Sequence, residues 1–249
     1  MSERQRPLQT RTPRSRQVDV YDTVLRQEKA QPELLAVLEK VGSKIARGPA
    51  PSFNEAHVIK ALEIIANNKI VGRTTISNKL ELGIGTTRTI LKHLKKEEHI
   101  TSSKHGYALS EQGKDLYSKL QSKISDRIQV PNNPFAVGPV VVAVLVRDRG
   151  HCVGRGVEQR NTAIRAGASG ASTLVFSNNQ IILPSKKKHN QEGIKQLQEI
   201  VTAKLDPQEN DALILGSGQN QTNAEIGALM AALKLLKQQQ TGTINLKKV

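Results

Sequence analysis

A chain of 249 residues, 37% hydrophobic and 24% charged, has room for one large or two small domains and is too mixed for wholesale disorder. Its formal charge of +15 favours a polyanionic partner, nucleic acid before an anionic membrane surface, and its single cysteine excludes a disulfide framework or a multi-cysteine zinc cluster. The longest apolar run, Val140–Val146, is far short of the ~20 residues of a spanning helix.

Residues 1–31 open with an Arg-rich, aperiodic stretch that reads as a disordered basic arm; its composition also mimics an organellar transit peptide. It lacks the apolar core of a secretory signal, so the expected compartment is a reducing cytoplasm. Over 32–51, Leu34, Leu38, Val41 and Ile45 recur at helical spacing before Gly48-Pro49-Ala50-Pro51 stops the helix. That amphipathic helix needs a partner surface, either the next domain or a second subunit.

Residues 52–128 predict a run of short helices and a hairpin. Ser52-x-x-Glu55 has the form of a capping box, followed by Val58, Leu62 and Ile65 on one face. Arg73–Leu80 makes a short helix, Leu82-Gly83-Ile84-Gly85 a tight turn, and Thr86–Glu97 a third helix with Ile90, Leu91 and Leu94 inward. Ile100–Ser103 and Tyr107–Leu109 flank a Lys104-His105-Gly106 turn, and Ser110 caps a last helix with Leu116, Leu120, Ile124 and Ile128 in a stripe. This is the element order of a winged helix-turn-helix, whose third helix fits the major groove while the hairpin tip reaches flanking phosphates.

On the outer side of that third helix stand Thr86, Arg88, Thr89, Lys92, Lys95 and Lys96, with Arg73 opening the helix before it and Lys104 and His105 at the hairpin tip. Arg88 can fork onto a guanine, worth ~1–3 kcal/mol of discrimination; the lysines suit phosphates, which fix register without reading sequence. Six scattered aromatics and no tryptophan leave little platform for stacking single-stranded bases, so double-stranded DNA is the better fit. The competing reading is a basic helix face that is merely solvated.

A Pro- and Asn-bearing linker, 129–138, precedes a second domain over 139–249. Strands at Val140–Val146, Ser172–Phe176, Gln180–Leu183 and Ala212–Leu215, with helices at Val157–Ala166, Glu192–Lys204 and Thr222–Gln239, give β-α-β-β-α-β-α. The predicted fold class is therefore α+β: a winged helix-turn-helix, then a small mixed α/β domain. Asn178-Asn179 reads as a hairpin turn, and Lys186-Lys187-Lys188 as a solvated loop.

This second domain carries no strong catalytic signature, and neither a metal site nor a cofactor is expected. Gly216-Ser217-Gly218, between a strand and a helix, is either an ordinary turn or an anion cradle; it lacks the third glycine of a dinucleotide fingerprint and the lysine of a P-loop. Arg160 and Asn161 fall within the stripe of Val157, Ile164 and Ala168, with Arg165 a turn later. Polar groups facing a core must be paired, so they belong either to an internal network or to a pocket for a small anionic ligand. His151-Cys152 reads as a loop cysteine of no special role.

Two stretches, ISNKLELGIGTTRTILKHLKK (76–96) and GYALSEQGKDLYSKL (106–120), together with EQRNTAIRAGASGASTLVFSNNQIILP (158–184) and DALILGSG (211–218), resemble archaeal winged-helix proteins with an uncharacterised C-terminal domain. The likeness covers roughly 52–240 and leaves out the arm and the first helix. It implies a cytoplasmic transcriptional regulator and carries no catalytic residue and no ligand; a DNA-bound regulator of this kind is expected to be nucleoid-associated. The sequence thus points to a sequence-specific DNA-binding homodimer without enzymatic activity. Two rivals remain: a low-specificity chromatin or translation-associated protein, and a small-molecule enzyme with an accessory winged helix.

Overall fold

A computed structural model describes residues 34–42, 53–184 and 191–238. The basic arm, the Gly48–Pro51 stop and the Lys186–Lys188 run lie outside the described residues. The chain is mixed α+β, with two antiparallel sheets.

Helix α1 (34–42) buries Leu34, Leu38 and Val41, the face that its spacing predicts. Its partner is the same chain. Lys40 pairs with Glu97 at 2.5 Å, His93 Nδ1 lies 2.8 Å from the Val41 carbonyl oxygen, and Glu39 pairs with Lys237 at 2.7 Å. Helix α2 (Glu55–Ala66) starts under Asn54, whose side chain accepts from the Ala56 and His57 N–H groups while His57 closes back onto the Asn54 N–H. The expected Ser52–Glu55 box is thus replaced by Asn54 and His57, the same reciprocal device two residues later.

Helix α3 (Arg73–Leu80) ends at Glu81, in the left-handed conformation, and α4 (Ile84–Lys96) follows after a tight connection. Ser77 locks that connection: its hydroxyl donates to the Leu82 carbonyl at 2.6 Å and its carbonyl accepts the Leu82 N–H. Strands β1 (Ile100–Ser103) and β2 (Gly106–Leu109) form the hairpin. Val71 adds a bridge to Tyr107 on the far side of β2, a third strand position that the sequence reading lacks. At Gly106, with φ +139°, any Cβ would strike the Val71 carbonyl, so this crossing requires glycine.

Helix α5 (Glu111–Gln121), capped by Ser110, stops before the predicted stripe is complete. Ile124 instead bridges Val146, and Ile128 begins a strand, β3 (Ile128–Val130). Val130 is therefore buried in a sheet, and the expected linker is shorter at this end. The five-stranded sheet has the order β3-β4-β7-β5-β6, antiparallel throughout, with β4 (Val140–Val146), β5 (Gly170–Ser177), β6 (Gln180–Ile182) and β7 (Ala212–Gly218). Asn178 and Asn179, both at positive φ, make the β5–β6 turn.

Helices α6 (Val157–Arg165) and α8 (Gln221–Lys237) cover one face of this sheet, and α7 (Gln191–Leu205) covers the other. Alternate residues of β4 divide accordingly: Val142, Val144 and Val146 point to the α8 side, Val141, Ala143 and Leu145 to the α7 side. Both faces being buried explains why β4 reads as an unbroken apolar run. At the β6 edge, Gln198 from α7 accepts the Ile181 N–H at 3.1 Å and donates to the Asn179 carbonyl at 2.8 Å.

A continuous buried cluster joins the first helices to the α8 side of the sheet. Lys60 and Glu225 pair across this seam at 2.6 Å, Arg127 pairs with Glu63, and Leu145 N–H donates to the Ser125 hydroxyl.

Candidate nucleic-acid interface

Helix α4 is strongly two-sided. Thr87, Ile90, Leu91, His93 and Leu94 are buried, whereas Arg88, Thr89, Lys92, Lys95 and Lys96 are exposed and Thr86 is half-buried. The helix carries no acidic residue. The buried side is fixed by packing and by the His93–Val41 contact, so the cationic side is held outward by the core behind it. Arg88 and Lys92 make no ion pair among the described residues; Lys95 donates to the Ser102 hydroxyl at 2.7 Å, linking α4 to β1. The Thr89 hydroxyl donates to the Gly85 carbonyl at 3.2 Å.

Arg73, at the start of α3, is exposed, as are Lys104 and His105 at the hairpin tip. The tip is shaped by Ser103, whose hydroxyl accepts the His105 N–H at 3.1 Å. Sequence reasoning missed Lys79, a further exposed cation in the last turn of α3. Six residues after Arg73 it stands on a different side of the helix, so helical spacing gives no signal that groups the two. The fold therefore brings α3, α4 and the hairpin together, with the residues singled out on them, half-buried Thr86 apart, facing solvent.

The second group of candidates fares differently. Arg160, Asn161 and Arg165 are exposed, not turned toward a core or a closed pocket. The buried side of α6 is Gln159 and Ala163, while Val157 and Ile164, expected inside, are outside. Gln159 accounts for the reversal: its amide donates to the Gln238 side chain at 2.7 Å, so a polar residue occupies the inward position with a partner. Gly216, Ser217 and Gly218 are strand residues of β7, all buried. The space that a cradled anion would need is taken by α8, because a Cβ on Gly216 would meet the Ala224 carbonyl and the Ala228 N–H group. The Ser217 hydroxyl is occupied by the Val137 N–H at 3.2 Å. Cys152 is buried, with an Arg149 guanidinium nitrogen 3.5 Å from its sulfur.

No group of three His, Cys, Asp or Glu side chains among the described residues is placed to hold a metal ion. No helix among them is long and apolar enough to cross a membrane.

Two family models match the chain: the N-terminal domain of PH0730-like proteins over residues 61–115, and a domain of unknown function (DUF4443) over residues 137–235. The solved structure of hypothetical protein PH0730 from Pyrococcus horikoshii OT3 is similar at 27% identity and a TM-score of 0.57, over 72% of this chain and 92% of that one. A protein with unknown function from Listeria innocua Clip11262 aligns at 16% identity and a TM-score of 0.26, over 44% of this chain and 73% of its own. No curated protein matches the chain. The two domain matches and the archaeal neighbour fit a family of uncharacterised domains.

Proposed function

We propose that this protein is a sequence-specific transcriptional regulator that binds double-stranded DNA through a winged helix. The observation that carries the reading is the acid-free, exposed flank of α4, held outward by the buried side behind it. The tight α3–α4 connection and the hairpin anchored on Val71 supply the remaining parts of a helix-turn-helix with a wing. In this reading Arg88 and Thr89, on the earlier turns of α4, meet base edges. Lys92, Lys95, Lys96, Arg73 and Lys79 hold phosphates, and Lys104 and His105 reach the backbone beyond.

The test is binding to duplex DNA as a function of salt. Affinity should fall steeply with salt, and the slope should lessen by about one for each phosphate-holding lysine removed. Arg88→Ala should cost ~1–3 kcal/mol and relax preference at a single base position. Genome-wide footprinting should return a motif bound ~10³-fold or more over random sequence. Steep salt dependence without such a ratio would instead favour the low-specificity chromatin or translation-associated reading. Affinity unaltered by Arg88→Ala with Lys92→Ala would remove the DNA role of this face.

A further inference from the structure

Ile84 opens helix α4 and, at 53%, is the most exposed large apolar side chain among the described residues. Single exposed isoleucines are ordinary on a protein surface, so the surroundings decide what this one means. Two features set it apart. First, the helix itself does not call for it. A first turn favours capping oxygens and acidic side chains, and β-branched residues are middling helix formers. Here the N-cap is Gly83 with no side-chain cap, and no acid stands in the first turn. Second, the fold does not close over it. A Cβ added to Gly83 or to Gly85, on either side, would meet nothing within 4 Å, so Ile84 stands on a bare piece of backbone.

Its companions on the exposed flank are cations. Arg88, four residues on, lies one turn along on the same side, and Lys95 continues that line with Lys92 beside it. A cationic flank without an acid repels a second copy of itself, so the match is an anionic surface. Lysines and arginines serve its phosphates, but a branched hydrocarbon serves none of them. In the major groove of a duplex, the base that offers a methyl group is thymine, at its C5 position.

Resting on the reading of α4 as the helix that enters the major groove, we infer that Ile84 is a specificity residue that packs on the C5-methyl of a thymine. Recognition helices point their N-terminal residues at base edges, and Ile84 occupies that end. The glycines on either side, without side chains, let the backbone come close to the groove floor. Four residues of helix rise span ~6 Å against about 3.4 Å per base pair, which puts the thymine within about two base pairs of the guanine that Arg88 meets.

The test crosses two changes: Ile84→Ala in the full chain, and uracil for thymine in the duplex, which removes the methyl group alone. The duplex carries the footprinted motif, and the guanine is the position at which Arg88→Ala relaxes preference. One methyl buried against an alkyl side chain is worth about fourfold in affinity. The parent chain should therefore bind about fourfold more weakly when one thymine near that guanine becomes uracil, whereas Ile84→Ala should bind both duplexes alike. Arg88→Ala should keep the uracil effect, which separates the two roles. The salt slope of Ile84→Ala should equal the parent's, since no phosphate contact is lost, and its circular dichroism and Tm should not move. A uracil effect of equal size in the parent and in Ile84→Ala, or none at any thymine near the guanine, overturns the inference and leaves the regulator reading standing. A parent chain that prefers no duplex sequence overturns both.

Discussion

His57 lies one turn into α2 with its Nδ1 3.2 Å from the Asn54 nitrogen, and burial, then the nearby charge of Lys60, lowers its pKa from the usual 6.5 to about 4. Burial also pulls His99 below its usual value, against the opposing pull of Glu97. Each is neutral in the folded chain at a pH where the unfolded chain already takes up a proton. The stability so gained is complete above about 6.5 and is lost as the pH falls toward the folded values. Glu225 adds a second loss at lower pH. Burial raises its pKa, but its hydrogen bonds from Lys60 and Gln221 outweigh that and hold it below the usual carboxylate value. The urea midpoint is therefore expected to drop between pH 7.5 and pH 5, with a shallower drop in His57→Gln; a midpoint flat over that interval contradicts the assignment. Gly216 makes a separate prediction. Ala there drives a methyl into the α8 backbone and should cost about 3 kcal/mol in urea denaturation, whereas Gly83→Ala, with open space around it, should cost far less. Residue by residue, the α4 flank was readable because cations alternate with Ile90, Leu91 and Leu94 at helical spacing. Gly216 was not, since a glycine needed for close approach in a strand looks like one needed for a turn.

At the scale of elements, the β5–β6 hairpin is the cleanest case. Two consecutive asparagines at positive φ, 52° and 59°, match the right-handed twist of the strands that they join. Asn179→Gly should raise stability by ~0.5–1 kcal/mol and Asn178→Val should lower it by ~1–2 kcal/mol, both measurable by thermal unfolding. Composition alone marked that turn, as it marked the limits of β4. Helix α6 escaped the same reasoning because its apolar residues sit on the solvent side and its inward position is a paired glutamine. Periodicity finds a face but assumes that the apolar one is inside. Strand β3 escaped because Pro131 and the asparagines after it read as linker, whereas the strand is held by its ladder to β4. The α5 stripe was over-extended for a related reason: Ile124 and Ile128 keep helical spacing, yet both are committed to β4 and β3, one by a bridge and one by a strand.

For the molecule as a whole, the seam between the first helices and the sheet is part of the core. One buried cluster crosses it, and α1 meets α2, α4 and α8 at once through Gly42 beside Glu55, Val41 with His93, and Glu39 with Lys237. The described chain should consequently unfold in one step, with calorimetric and van't Hoff enthalpies in agreement; two resolved transitions would refute that coupling. Lys60→Ala leaves Glu225, a largely buried carboxylate, without its ammonium partner and should destabilise by ~2–4 kcal/mol. Lys60→Met with Glu225→Leu should recover most of that loss, since both charges are then gone. Long-range pairings such as Ser125 with Leu145 lie beyond what local patterning conveys. The Gln198 clamp on β6 has a practical corollary. By engaging both the Ile181 N–H and the Asn179 carbonyl, it fills hydrogen-bonding positions that a foreign strand would otherwise seize, so a concentrated stock of Gln198→Ala should turn turbid sooner than the parent.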